Sequence, residues 1–135
     1  MTHKPLDFAF VLFCDGGCNN HTHANGYGSY AVLKRGEEVA RQTRREYAEV
    51  ETSQEAEYQA LLDALRWIAS YYQPSVNYRV WSDSRLVVNQ ASGYWRCQAA
   101  NLWDYYVKVD NLLREMPNVK IAWTPRGEIV KVLGH

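Results

Sequence analysis

The run FAFVLFC, residues 8–14, constrains this chain more than any other stretch. It is apolar at every position, rich in aromatic rings, and stopped by Asp15-Gly16-Gly17. An unbroken apolar run of that length suits a strand buried on both faces, because a half-exposed strand would alternate and a helix would run longer. It predicts a central strand, with Asp15 closing it. At 135 residues the chain is long enough to bury a core without disulfide or metal staples, so a single domain over residues 1–135 is expected.

The remaining elements follow from periodicity and stop signals. YGSYAVLKRG and EEVARQTRREYAE read as antiparallel strands joined by a turn at Gly36-Glu37, the second more exposed because of its arginines. Residues 52–72 predict a helix, with Thr52 or Ser53 as N-cap, acidic residues in the first turns, and Pro74 beyond its end. A short strand at Tyr78–Ser82 turns at Asp83-Ser84 into a short helix that stops at Gly93. A helix over Ala99–Met116, a strand in NVKIAWTP and a weakly helical tail, RGEIVKVLGH, complete the order. A strand-helix-strand step makes a right-handed parallel crossover, so an α/β fold with a mixed five-stranded sheet and helices on its faces is expected.

Lys plus Arg equals Asp plus Glu at 15 each, so net charge announces neither a nucleic-acid nor a membrane partner. A polyanion would have to be held by a local patch or by bound cations. Cys14, Cys18 and Cys97 form an odd set without repeating spacing, and no basic-then-apolar leader precedes Phe8. The longest apolar run is far too short to cross a bilayer. A cytoplasmic, membrane-free monomer is the expectation.

Three carboxylates stand in places that cost energy. On a helical wheel Leu61, Ala64 and Ile68 stack above Glu57, which puts that carboxylate in the apolar stripe, while Glu55 and Asp63 point away from it. A Glu facing a sheet is costly unless it is paired or binds a cation; the alternative is a place at the stripe's solvated end. Asp15 and Asp83 each lie at the carboxyl end of a strand, where open α/β sheets bind ligands. Taken singly, Asp15 also suits a turn before two glycines, and Asp83 an N-cap. If the first and fourth strands are parallel neighbours, Asp15, Glu57 and Asp83 converge on one edge, and divalent cations resolve their repulsion. Such oxygen ligands select Mg2+ or Mn2+, and a pair of these ions serves phosphodiester cleavage.

These residues resemble type 1 ribonuclease H. CDGGCNNHTHANGYGSY is similar to that family's first-strand motif, TSQEAEYQAL to its helix motif, WSDSRLVVNQASGYW to its Asp-Ser motif, and IAWTPRGE to its last strand and following loop. The likeness runs in order over nearly the whole chain. It implies the ribonuclease H-like fold, and hydrolysis of the RNA strand of RNA–DNA hybrids with Asp15, Glu57 and Asp83 as ligands of two Mg2+ or Mn2+ ions. It also implies that Gly16, Cys18, Asn20, His21, Ser53 and Gln54 meet the hybrid's minor groove, where 2′-hydroxyls mark the RNA. Where the family tends to have Asn, this chain has His21 and Ser53. Trp95 and Arg96 in GYWRC suit a groove for the DNA strand, by stacking on sugar and by pairing with phosphate; a core place is the other reading of Trp95. Cys14 inside the strand and Cys18 at a family cysteine position argue against a zinc site, whose spacings the Cys and His residues here do not match.

The family usually carries a fourth carboxylate, most often Asp, on the helix after the last strand. PRGEIVKVLGH has no Asp. Glu128 falls close to the strand, in the expected loop, whereas His135 lies a few turns along and offers an imidazole, a legitimate ligand for Mn2+ and a weaker one for Mg2+. His135 is the expected fourth residue, and a frayed chain end is the alternative. Two other functions stay open: a weak or inactive domain that still binds hybrid, and a nuclease of the same fold that acts on structured DNA.

Overall fold

The computed structural model describes residues 8–19 and 25–135. Among the described residues five strands and four helices follow in the order β1 (Phe10–Asn19), β2 (Asn25–Lys34), β3 (Glu37–Tyr47), α1 (Ser53–Tyr71), β4 (Tyr78–Ser82), α2 (Arg85–Ala91), α3 (Ala100–Glu115), β5 (Val119–Trp123) and α4 (Arg126–Leu133). The sheet order is β3-β2-β1-β4-β5, with β1–β2 and β2–β3 antiparallel and β1–β4 and β4–β5 parallel. The predicted mixed sheet is therefore present, with the apolar run at its centre. Among the described residues no helix is long and apolar enough to cross a membrane.

The core lies mainly between the sheet and α1. Leu12 and Cys14 of β1, Val32 of β2 and Val80 of β4 pack against Leu61, Leu62, Leu65 and Ile68, all 0–1% exposed. Each fully buried aliphatic side chain contributes roughly 1.5–3 kcal/mol relative to exposure, so α1 is the anchor of the fold. Helix α3 covers α1 on the same side, through Leu102 and Val109. On the opposite face a smaller cluster joins α4, through Ile129 and Leu133, to Ala31 and Phe13. Helices thus cover both faces.

Several local expectations are corrected. The β2–β3 turn falls at Arg35-Gly36, both at positive φ as a two-residue hairpin turn of the primed type needs, rather than at Gly36-Glu37. Strand β1 does not stop at Asp15 but runs on to Asn19, because its ladder with β2 continues after its pairing with β4 has ended at Phe13–Trp81. Asp83 is not a cap: the Ser84 hydroxyl accepts the Val87 N–H and opens α2. Asp63, expected to point away from the apolar stripe, is nevertheless buried. The arc of α1 that is buried, beneath α3 and against the sheet, is wider than one apolar stripe, and Asp63 lies inside it at 6% exposure. The tail forms a regular helix whose first turn contains Glu128, so that residue is not in a loop.

Candidate active site

The divergence of β1 from β4 makes the site. Beyond Phe13–Trp81 the two strands separate, and Asp15 and Asp83 stand on the opposing lips of the resulting crevice, each two residues past that last pair. Glu57 joins them from the second turn of α1. That approach requires α1 to lie almost on β1: a Cβ built on Gly16 would fall 2.2 Å from the Ala56 carbonyl oxygen and 2.6 Å from the Glu57 nitrogen. Gly16 is expected from its motif to touch substrate. It is instead buried under the helix backbone, and what its missing side chain allows is the contact that brings Glu57 to Asp15.

The electrostatics match three carboxylates forced together. Burial raises the pKa of Asp15, Asp83 raises it further, and the Arg126 guanidinium works against both. Glu57 is pushed up to about 7, chiefly by burial, while a Ser84 hydrogen bond opposes the rise and Asp83 and Asp15 add to it. Arg126 is the counter-charge. Its Nη1 donates to Asp83 Oδ2 at 3.1 Å and to Asp15 Oδ2 at 3.4 Å. The Asp83 loop is fixed from below, where the Trp123 indole Nε1–H donates to the Asp83 carbonyl at 3.1 Å.

His135 reaches the same crevice from the other side. It follows Gly134, which ends α4 at φ 83°, and its Nε2 lies 3.1 Å from the Ser29 hydroxyl oxygen. Ser29 is the cross-strand partner of Asp15, and the Asp15 charge acts on the imidazole. Glu128 turns outward and pairs with Lys131 at 3.0 Å, both exposed. Of the two residues considered for the fourth place, only His135 stands beside the carboxylates.

As they stand, no three His, Cys, Asp or Glu side chains among the described residues form a ready metal cage. The donor set nevertheless fits hard divalent cations. It offers carboxylate oxygens in surplus, and two of them already share one cationic nitrogen, so withdrawal of Arg126 leaves a place for an ion. The zinc alternative finds no support at Cys14, which is buried in the core with its thiol donating to the Trp81 carbonyl and its pKa driven up by burial.

The expected substrate residues fall into two places. Ser53 and Gln54 are exposed in the first turn of α1, and the half-buried Cys18 donates to the Glu51 carbonyl just before that helix. Trp95 is 50% exposed beside Tyr94 at 80%, which removes its core reading. Asn20 and His21 lie outside the described residues. Sequence reasoning missed Arg126 as a member of the site and Ser29 as a partner of His135. A basic residue only three positions past the last strand was the available signal for Arg126; a lone serine in a strand offered none.

The chain belongs to the RNase H family, whose sequence model matches residues 7–126. It is 28% identical over 120 residues to the bifunctional protein Rv2228c of Mycobacterium tuberculosis (strain ATCC 25618 / H37Rv), covering 86% of this chain and 31% of that protein. To the uncharacterized protein YpeP of Bacillus subtilis (strain 168) it is 25% identical over 116 residues, covering 86% of this chain and 50% of that one. It therefore spans 31% of the length of the first of these relatives and 50% of the second. Among solved structures, the N-terminal RNase H domain of Rv2228c superposes with a TM-score of 0.80 at 23% identity, over 93% of this chain and 88% of that one. RNase H1 from Halobacterium salinarum NRC-1 gives 0.77 at 23%, over 89% and 88%. LC11-RNase H1 in complex with an RNA/DNA hybrid gives 0.76 at 21%, over 90% and 89%. At these identities the structures establish the fold.

Proposed function

We propose that this chain is an endonuclease that hydrolyses the RNA strand of RNA–DNA hybrids with two bound Mg2+ or Mn2+ ions. The observation that carries the reading is the crevice in which Asp15, Glu57 and Asp83 meet and two of them share the Arg126 guanidinium. Membership of the RNase H family and the fold shared with a hybrid-bound RNase H1 support the choice of substrate.

Asp15, Glu57, Asp83 and His135 would hold the ions. When bound, the ions would supply Lewis-acid chemistry, easing deprotonation of the attacking water and stabilising charge on the departing oxygen. The chain's own groups do the rest. Buried Asp15 is fixed by the sheet, and Glu57 by the close packing of α1 on Gly16, so the backbone already sets both carboxylates at the crevice and only side chains have to turn to close on an ion. Arg126, more than half exposed, is free to swing from the carboxylates to a phosphate oxygen when an ion replaces it. The exposed N-terminus of α1, with Ser53 and Gln54, offers polar groups and the positive end of a helix dipole to the RNA backbone and its 2′-hydroxyls. Exposed Trp95 and Arg96 form a stacking and phosphate-pairing surface for the DNA strand.

A second reading has a specific observation behind it: the internal cation between Asp15 and Asp83 suits a domain that binds hybrid and cuts it poorly. Labelled hybrid incubated with Mg2+ and then Mn2+ separates the two. Cleavage by the parent that is lost in Asp15→Asn supports the nuclease. Hybrid binding without cleavage in either ion supports the binding domain, and cutting of branched DNA in preference to hybrid would overturn the assignment of substrate.

A further inference from the structure

We infer that Ser29 and Arg41 are positioning residues that hold the His135 imidazole beside Asp15 as a ligand for a divalent ion. This rests on the proposal that His135 completes the metal site. The segment Val132–His135 is tied at three points, the last of them at the imidazole itself.

Gly134 makes the first tie. Its left-handed φ of 83° costs a glycine nothing, and its N–H donates to the Val130 carbonyl at 2.8 Å, turning the chain sharply off the end of α4. The second is Arg41 on β3. Its Nη2 donates to the Val132 carbonyl at 2.7 Å and its Nη1 to the Leu133 carbonyl at 3.4 Å, satisfying carbonyls that the helix end leaves open. Glu38 Oε1 accepts from Arg41 Nε at 3.0 Å and from Nη2 at 2.7 Å, which fixes the guanidinium against those carbonyls.

Ser29 is the third. Two residues of β3, Thr43 and Arg44, oppose it in a bulge, and its Oγ accepts the Arg44 N–H at 2.8 Å. That fixes the hydroxyl of a fully buried side chain and uses one of its lone pairs. The same oxygen lies 3.1 Å from His135 Nε2. An imidazole that donates Nε2–H to this oxygen keeps a bare lone pair on Nδ1, the arrangement of a metal-binding histidine whose second nitrogen is held by a neighbour. Because Ser29 and Asp15 are direct cross-strand partners, their side chains rise from the same face of the sheet, and a ring seated on Ser29 is set next to the Asp15 carboxylate.

The test is Mn2+ titration by calorimetry of the full chain, with Ser29→Ala, His135→Ala and the double variant. Ser29→Ala should weaken Mn2+ binding about tenfold, the usual cost of removing a residue that orients a ligand. The double variant should bind no more weakly than His135→Ala alone. In the metal-free protein the His135 ring proton signals, displaced from free-histidine positions in the parent, should return to them in Ser29→Ala. Parent-like Mn2+ affinity in Ser29→Ala overturns the inference, as does an equal further loss when it is added to His135→Ala, since Ser29 would then act without the imidazole. Unchanged affinity in His135→Ala overturns both the inference and the fourth ligand, while leaving the nuclease proposal to the Asp15→Asn cleavage assay. Should Ser29→Ala fail to fold, Arg41→Gln replaces a partly exposed side chain whose ionic partner is Glu38 rather than a site carboxylate. It must also move the His135 signals and weaken Mn2+ binding, and no change in either overturns the inference.

Discussion

The Arg126 guanidinium stands 3.1 Å from the Asp83 carboxylate, an internal cation in the crevice where divalent ions are proposed to bind. The same nitrogen reaches Asp15, whose side chain is only 4% exposed. Removing it leaves a buried carboxylate without its counter-charge, although the exposure of Arg126 limits the cost. Arg126→Ala should therefore lower the metal-free protein's stability by about 0.5–1 kcal/mol, a melting shift of a few degrees. Millimolar Mg2+ should raise the melting temperature of this variant by more than it raises that of the parent, because the ion no longer competes with the guanidinium. Equal Mg2+ shifts in scanning calorimetry would show that Arg126 and the ion do not share a place.

Glu57 gives the metal-free protein a pH dependence with a definite sign. Its pKa is pushed up to about 7 from the ordinary 4.5, first by burial and then by Asp83 and Asp15. The folded state holds a proton that the unfolded chain releases, so the stability this group contributes is fully present below about 4.5 and is lost as pH rises through about 7. Denaturant unfolding in a chelator should show the parent losing roughly 1–3 kcal/mol relative to Glu57→Gln between about pH 4.5 and pH 8. A constant difference between the two proteins over that range would mean that Glu57 ionises as freely in the fold as outside it.

The carboxylate triad was legible because its members break local rules. An acidic residue in an apolar stripe, and others at strand ends, cost energy that only a cation recovers, and that anomaly is visible without coordinates. That β1 and β4 are parallel neighbours entered only as a condition of that reading, because the crossover rule sets direction and not adjacency, and the sheet order meets it. What stayed hidden depends on partners distant in sequence. Ser29 meets His135 across 106 positions, and Arg126 meets Asp15 across 111. Neither pair leaves a periodic trace. Glu128 was misplaced because a tail of modest apolar content conceals that Ile129 and Leu133 have a second sheet face to cover.

Asp63 shows how a helical wheel misleads when a helix is covered from more than one side. Its carboxylate accepts from the Tyr47 hydroxyl at 2.6 Å, from Gln42 Nε2 at 2.9 Å, from Gln59 Nε2 at 3.0 Å and from Arg45 Nη1 at 3.2 Å. The bonds from Tyr47, Gln42 and Arg45 tie α1 to β3. Asp63→Ala would strand the buried Tyr47 hydroxyl and loosen the half-buried Gln42 and Gln59 amides, and should cost about 1–3 kcal/mol, whereas Tyr47→Phe removes the bond to Asp63 and a long one from Gln42 and should cost about 1 kcal/mol. Urea unfolding measures both. Mn2+ affinity of folded Asp63→Ala should match the parent, since the network lies away from the crevice; a matched loss of affinity would place it in the site's support.

Gly16 links the fold to the chemistry most tightly. A methyl group there would meet the Ala56 carbonyl carbon at 2.3 Å and its oxygen at 2.2 Å, and these are backbone atoms of α1 that no rotamer change can move. Gly16→Ala must push the helix off β1 or fail to fold, and overpacking of this kind costs roughly 1–3 kcal/mol or more. The displaced segment carries Glu57, so any folded Gly16→Ala protein should bind Mn2+ more weakly than its loss of stability alone explains, because the Glu57 carboxylate moves away from Asp15. Excess ligand cannot restore geometry that packing forbids, so added Mn2+ should stabilise this variant less than the parent. A variant that melts early yet gains as much from Mn2+ as the parent would separate the packing of α1 from the metal site.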